Sequence, residues 1–239
     1  MIKMLLVGSG RMGRLIEETA SGCDDIEIVD IVDLSCTEKF DSAADADVVL
    51  DFSRPDALDG VCRYVKRTGA ALVSGTTGYT DGDMKKLLSL SEGSAVIHSA
   101  NYSTGIAVFK KILSEISPVL KGGFDIELTE THHKGKVDAP SGTAKLLLNA
   151  IDPAGEYTPV YGRAGNCGAR TSKEIGVHAL RGGTVSGTHT VAFFGDDEII
   201  EITHTAASRK IFVNGAINAA RAICGKPCGM YTLEELIFN

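Results

Sequence analysis

Ile2-Lys3-Met4-Leu5-Leu6-Val7-Gly8-Ser9-Gly10-Arg11-Met12-Gly13 is the stretch whose reading decides the fold. Residues 2–7 form a short apolar run of the kind that becomes a buried strand. A G-x-G-x-x-G loop follows, then a helical pattern over 14–21 and a second strand pattern over 26–32, which ends at Asp33. Strand, glycine loop, helix, strand and acid occur in the order and spacing of a dinucleotide-binding βαβ unit. Each position then has a physical task. Gly8 allows the tight turn, Gly10 lets a pyrophosphate approach the backbone, and Gly13 lets helix and strand pack closely. Ser9, Arg11 and Met12 complete the loop. Asp33 accepts hydrogen bonds from ribose hydroxyls.

Outward from this unit the alternation continues. Strand patterns at 47–53, 70–74 and 95–98 are separated by helical patterns at 57–66 and 81–90. That order predicts an α/β fold, a Rossmann-type doubly wound parallel sheet. Ligands of such sheets bind beyond the carboxyl ends of the strands. The polar loops there, Gly75-Thr76-Thr77 and Ser99-Ala100-Asn101-Tyr102, are therefore expected to line the nicotinamide half of the cofactor. A helix over 105–119 leads to an alternating strand over 124–129.

Next comes Glu130-Thr131-His132-His133-Lys134-Gly135-Lys136-Val137-Asp138-Ala139-Pro140-Ser141-Gly142-Thr143, with no apolar period. Neither a core strand nor a surface helix needs two histidines, two lysines and an aspartate here. Chemistry on an anion does. His132 can give or take a proton, as a histidine side chain does in acid–base chemistry. Lys134 and Lys136 bring positive charge, and Lys136 can also donate a proton. Ser141-Gly142-Thr143 opens a helix whose first N–H groups attract a carboxylate or phosphate. The plainer reading is a charged loop with a helix cap, and the position at a strand-to-helix junction favours function.

That helix is expected to end near Asp152-Pro153. A loop-rich region over 154–174 follows, carrying Arg163 and Arg170. Alternating segments at 175–180, 184–194 and 199–205 read as a β-meander in an antiparallel or mixed sheet. A helix over 210–224 and a short helix or strand over 231–238 close the chain. His178, His189 and His204 fall in the meander. No metal-ligand spacing is present, so no metal is expected and these three read as ordinary strand histidines.

The 239 residues carry a formal charge of −7, with 44% hydrophobic and 23% charged residues. The negative balance argues against nucleic-acid binding. No apolar run approaches the ~20 residues of a membrane span. The N-terminal apolar run is too short for a signal sequence and reads as the first strand. The six cysteines lack C-x-x-C or framework spacing, which suits reduced thiols.

Taken together, these segments resemble one family, 4-hydroxy-tetrahydrodipicolinate reductase, long called dihydrodipicolinate reductase. The most specific string is Thr131 to Ala144, H-H-K-G-K-V-D-A-P-S-G-T-A after the threonine. Gly8 to Gly13, Asp51-Phe52-Ser53, Gly75-Thr76-Thr77-Gly78, Ala100-Asn101-Tyr102-Ser103, Leu180-Arg181-Gly182-Gly183 and Gly229-Met230-Tyr231 agree, so the resemblance covers nearly the whole chain. It implies an NADH- or NADPH-dependent reductase in the diaminopimelate route to lysine, acting on a small cyclic imine with two carboxylates. It implies a dinucleotide domain from 1–103 and 210–239, and an α+β substrate and oligomerisation domain over 104–209 with an open mixed sheet. It also implies a cytoplasmic homotetramer. Carried over by position, His132 would be the acid/base, Lys136 a proton donor and substrate ligand, and His133, Ser141, Gly142 and Thr143 substrate ligands. In the family, the positions after the ribose acid can include an arginine that favours a 2′-phosphate. Here they are Leu34 and Ser35, with Lys39 as a partial substitute. The rival readings are another Rossmann-type dehydrogenase of an amino or hydroxy acid, and a non-catalytic nucleotide-binding redox sensor.

Overall fold

A computed structural model describes residues 1–36 and 38–238, without the side chain of Cys36. The chain divides into two compact units, Met1–Thr104 with Lys210–Asn239, and Gly105–Arg209.

The first unit holds β1 (Ile2–Val7), α1 (Arg11–Ala20), β2 (Ile26–Val32), α2 (Lys39–Ser42), β3 (Val48–Asp51), α3 (Leu58–Thr68), β4 (Ala71–Ser74), α4 (Asp81–Leu90) and β5 (Ala95–His98). In the second unit, α5 (Thr104–Leu120), which begins one residue before the boundary, leads to β6 (Asp125–His132), α6 (Gly142–Ile151), β7 (Thr158–Tyr161), β8 (Glu174–Arg181), β9 (Thr188–Phe194) and β10 (Ile199–Thr205). The chain then returns to the first unit as α7 (Lys210–Ile223), β11 (Gly229–Tyr231) and α8 (Leu233–Phe238).

The first sheet runs β11-β5-β4-β3-β1-β2, and every recorded pairing in it is parallel. A parallel sheet buries both faces, so its strands are apolar without alternation. Accordingly Met4, Leu5, Leu6 and Val7 are all buried, as are Val48, Val49 and Leu50. Phe40, Leu58, Val61, Tyr64, Val65, Leu87 and Leu90 cluster with Leu5, Val7, Val49, Leu72 and Val96 on one face. On the other side α7 packs on α1, β3 and β4. Its buried stripe is Val213, Ala216, Ile217, Ala220 and Ile223, at helical spacing.

The second sheet runs β10-β9-β6-β8-β7. It is mixed: β6 pairs parallel with β8 and antiparallel with β9. The expected meander is corrected here. Only β9 and β10 form a hairpin, and β6 lies between β8 and β9, with residues 184–187 outside any strand. β8 and β9 are consecutive in sequence, but the strand that lies between them comes from far upstream. The loop-rich region also contains a strand, β7, paired parallel with β8. One face of this sheet packs Ile126, Leu128, Ile175, Val177, Val191 and Phe193 against Ile106, Phe109 and Leu113 of α5 and Ala144, Leu147 and Ile151 of α6. The opposite face presents Leu180, Phe194 and Ile199, which are exposed.

Two boundaries shift in ways that matter. α1 starts at Arg11, inside the glycine motif, so the loop is also the helix cap. β6 continues to His132, beyond the apolar alternation. The period of two persists there, but Glu130 and His132 take the inward positions that Ile126 and Leu128 hold earlier. Polar residues at those positions hid the last turn of the alternation from a hydrophobicity reading.

Candidate active site

In the first unit the glycine loop has the geometry its sequence requires. Gly8 has φ +104°, and a Cβ there would lie 2.6 Å from the Phe52 carbonyl oxygen. A Cβ on Gly13 would overlap the Gly8 carbonyl oxygen, so only glycine brings α1 this close to β1. Gly10 has nothing within 4 Å of its missing Cβ, and no side chain caps the helix it starts. Open space before free helix N–H groups is what a pyrophosphate needs. The Asp33 carboxylate accepts hydrogen bonds from the Ser9 hydroxyl, from the Ser9 N–H at 3.3 Å and from the Ser35 N–H at 3.2 Å. The Ser9 hydroxyl and then the Ser35 N–H hold its carboxyl below the usual range, so it is an anion. Lys39, read as a partial phosphate ligand, has its Nζ 3.8 Å from Asp30.

The loops beyond β4 and β5 rest on a buried Asp51. Its carboxylate accepts from the Ser53 N–H at 3.2 Å, and from the Ser74 and Tyr79 hydroxyls at 3.0 Å. Burial, followed by the Asp51 charge, pushes the Tyr79 phenol above the range in which it ionises. Thr76 is buried; its hydroxyl accepts from the Ser53 N–H at 3.0 Å, and its carbonyl lies 2.9 Å from His98 Nε2. Tyr102 is also buried. Its hydroxyl donates to the Ser74 carbonyl at 2.8 Å and its ring packs 5.7 Å from Phe52, so this side chain braces the loop from within. Thr77 and Ala100 are exposed, and Gly75, Ser99 and Asn101 lie between these extremes.

In the second unit the end of β6 meets the start of α6. Glu130 has no solvent exposure. Its Oε2 is hydrogen-bonded to His132 Nδ1, and its Oε1 accepts the Ser141 N–H at 3.1 Å. Arg181, which faces His132 across the β6–β8 pair, donates to both carboxylate oxygens, at 2.9 and 2.8 Å. It also donates to the Asp138 carbonyl at 2.7 Å. Burial pushes the Glu130 carboxyl up, but Arg181, His132 and the Ser141 N–H outweigh it, so the group stays an anion.

Ser141 caps α6: its Oγ accepts the Ala144 N–H at 3.1 Å and lies 3.1 Å from His189 Nε2. His189 is a strand histidine with an ordinary hydrogen bond, as its place in the sequence suggested. It is buried, and its ring stands edge-on to His132 with centroids 5.1 Å apart. Burial, then His132, pushes it down to about 4, so it is neutral at pH 7. His178 sits elsewhere, 2.8 Å from Glu127. Lys136 pairs with Asp138 at 2.9 Å, and Gly142 faces open space. His133 follows the strand end and is half-buried.

The arrangement can exchange a proton at His132, seat an anion at the start of α6 and offer Lys136, paired with Asp138, as a cation. Sequence reasoning gave no individual role to Glu130, Asp138, Arg181 or His189. Glu130 was findable, because it lies two residues before His132 and so shares its face. Arg181 and His189 come from β8 and β9, and nothing local links them to His132. Among the described residues no helix is long and apolar enough to cross a membrane, and no group of three or more candidate ligands could hold a metal ion. The described cysteines, Cys23, Cys62, Cys167, Cys224 and Cys228, are free; the Cys36 side chain lies outside the described residues.

Two family models match: "Dihydrodipicolinate reductase, N-terminus" over residues 2–102 and "Dihydrodipicolinate reductase, C-terminus" over residues 105–237. The chain is 44% identical over 249 residues to the 4-hydroxy-tetrahydrodipicolinate reductase of Clostridium tetani, covering 99% of this chain and 97% of that one. It is 41% identical over 239 residues to that of an Exiguobacterium species, covering 98% and 95%. Its fold is similar to that of a dipicolinate-bound dihydrodipicolinate reductase from a Paenisporosarcina species, with TM-score 0.81, 21% identity, and coverage of 99% and 100%.

Proposed function

Because the chain belongs to the dihydrodipicolinate reductase family, we propose that its residues divide one reaction between them: the NAD(P)H-dependent reduction of 4-hydroxy-tetrahydrodipicolinate (dihydrodipicolinate) to tetrahydrodipicolinate. The reaction belongs to the diaminopimelate route of lysine biosynthesis. Family membership removes the rival readings, another dehydrogenase or a redox sensor.

In this reading the first unit takes the nucleotide. The glycine loop from Gly8 to Gly13 receives the pyrophosphate, Asp33 the ribose hydroxyls, and Gly75–Thr77 with Ser99–Tyr102 the nicotinamide half. The bound reduced nicotinamide supplies a hydride. The second unit takes the dicarboxylate. The start of α6 at Gly142 and Thr143 carries about half a positive charge and faces one carboxylate. His133 and Ser141 complete the seat. Lys136 exchanges Asp138 for a substrate carboxylate. Loss of water from the 4-hydroxy compound gives the conjugated imine; as its C4 accepts the hydride, electron density moves to the ring nitrogen. His132 delivers a proton there, with Lys136 as the second proton source, and the resulting enamine tautomerises to the imine product.

The observation that carries the reading is the joining of acid and anion seat. One buried carboxylate, Glu130, bonds both His132 and the N–H of Ser141. The test is NADH oxidation with substrate formed in situ from pyruvate and aspartate semialdehyde. Turnover that is competitively inhibited by pyridine-2,6-dicarboxylate supports the reading. Tight NADH binding without turnover would overturn it.

We further propose a cytoplasmic homotetramer assembled through the second unit. Support comes from the outer face of its sheet, where Leu180, Phe194 and Ile199 are 49%, 39% and 60% exposed.

A further inference from the structure

We infer that Glu130 is the positioning residue of this reaction, a single carboxylate that fixes the tautomer of His132 with one oxygen and anchors the start of the substrate helix with the other. The inference rests on the reading of His132 as the acid.

An ionised carboxylate only accepts hydrogen bonds. The Nδ1 of His132 lies on Glu130 Oε2, so Nδ1 must carry the proton of the neutral ring. Nε2 is then the nitrogen that exchanges, which is how a carboxylate partner assigns the two nitrogens of a histidine. A Cβ on Gly187 would lie 3.0 Å from Nε2, and Gly187 has φ +154°, so any larger residue there would crowd the proton-exchanging edge.

The groups around Glu130 come from every element packed on it. They are His132 on its own strand, Arg181 on β8, His189 opposite it on β9, and the Ser141 N–H at the start of α6. Arg181 supplies the standing cation. His189 is neutral at pH 7 and adds no competing charge. When His132 is protonated, Glu130 and Arg181 therefore face it as a fixed, nearly neutral pair. When Nε2 gives up its proton, Nδ1–H stays on Glu130 and the ring does not turn. The same carboxylate holds Ser141, and through Arg181 it holds the Asp138 carbonyl. Acid, helix start and the loop carrying Lys136 are thus referred to one group.

The test uses the full chain. Nitrogen-15 NMR of histidine in the unmodified protein, with His132 assigned by its absence in His132→Gln, should find the neutral ring protonated at Nδ1. Glu130→Gln should lower kcat at least about tenfold, the scale of outer-shell partners of functional histidines. Added to His132→Gln, it should cost less than about threefold more, because residues acting as a unit are non-additive. A brace without a catalytic link would lower the melting temperature and leave kcat of the folded variant near parent. A ring protonated at Nε2 in the parent overturns the inference, as does folded Glu130→Gln within twofold of parent kcat while His132→Gln is impaired. If Glu130→Gln does not fold, the parent tautomer decides. If His132→Gln itself turns over normally, the acid assignment fails and the positioning role falls with it.

Discussion

Replacing Arg181 with methionine removes the cation facing a carboxylate that has no solvent exposure. In the parent, Arg181 donates to both oxygens of Glu130, at 2.9 and 2.8 Å, with 19% of its own side chain exposed. Breaking a buried pair from one side leaves an uncompensated charge and costs about 3–5 kcal/mol. At roughly 2–4 °C per kcal/mol for a chain of this size, the melting temperature should fall by roughly 6–20 °C. The pH dependence gives a second signature. In the parent the folded carboxyl is held below its ordinary range, so its contribution is present above the unfolded pKa and is lost as pH falls. In Arg181→Met burial prevails and the folded value rises. The penalty is then largest near pH 7 and shrinks as pH approaches the unfolded glutamate value of about 4.3. Urea unfolding of both proteins at pH 7 and near pH 4.5 measures this. A gap below about 1 kcal/mol at pH 7, or one that widens toward pH 4.5, would refute the assignment of Arg181 as the standing cation for Glu130.

Asp33 is an anion and the positions after it carry no arginine, so NADH should be used at least as well as NADPH. Asp33→Ala should weaken NADH more than NADPH, as read from kcat/KM for each nucleotide. Gly13→Ala places a Cβ onto the Gly8 carbonyl oxygen; isothermal titration should show NADH affinity largely lost, with a destabilisation of at least about 1–3 kcal/mol in the first unit. Thr143→Val should raise KM with kcat nearly retained, because it removes binding felt equally in ground and transition states. Steady-state kinetics check that split.

The first unit was legible because its signals are local. Apolar runs without alternation, the glycine loop and Asp33 all act within one βαβ unit, and Gly8 and Gly13 met the steric demand their positions implied. The candidate site was half legible. His132, Lys136 and the helix start lie within one segment, so their grouping could be read from residue types. The partners that hold them could not. Arg181 and His189 reach His132 only through strand order, and that order was misread because β6 inserts between two strands consecutive in sequence. The end of β6 was lost for a related reason: inward polar residues break a hydrophobic alternation just where the sheet becomes a site. Tyr102 shows the reverse limit. Its place in the loop after β5 was readable, but the burial of its ring against Phe52 was not.

The central claim is that His132 and Lys136 perform chemistry and do not merely cap a helix, and steady-state kinetics on folded His132→Gln and Lys136→Ala, with melting temperatures alongside, test it most directly. The account predicts that His132→Gln loses roughly 10²–10⁴-fold in kcat with KM little changed, the typical worth of a positioned proton donor, and that Lys136→Ala loses kcat and raises KM together. If both variants, folded, turn over within a few-fold of the parent, the account is contradicted.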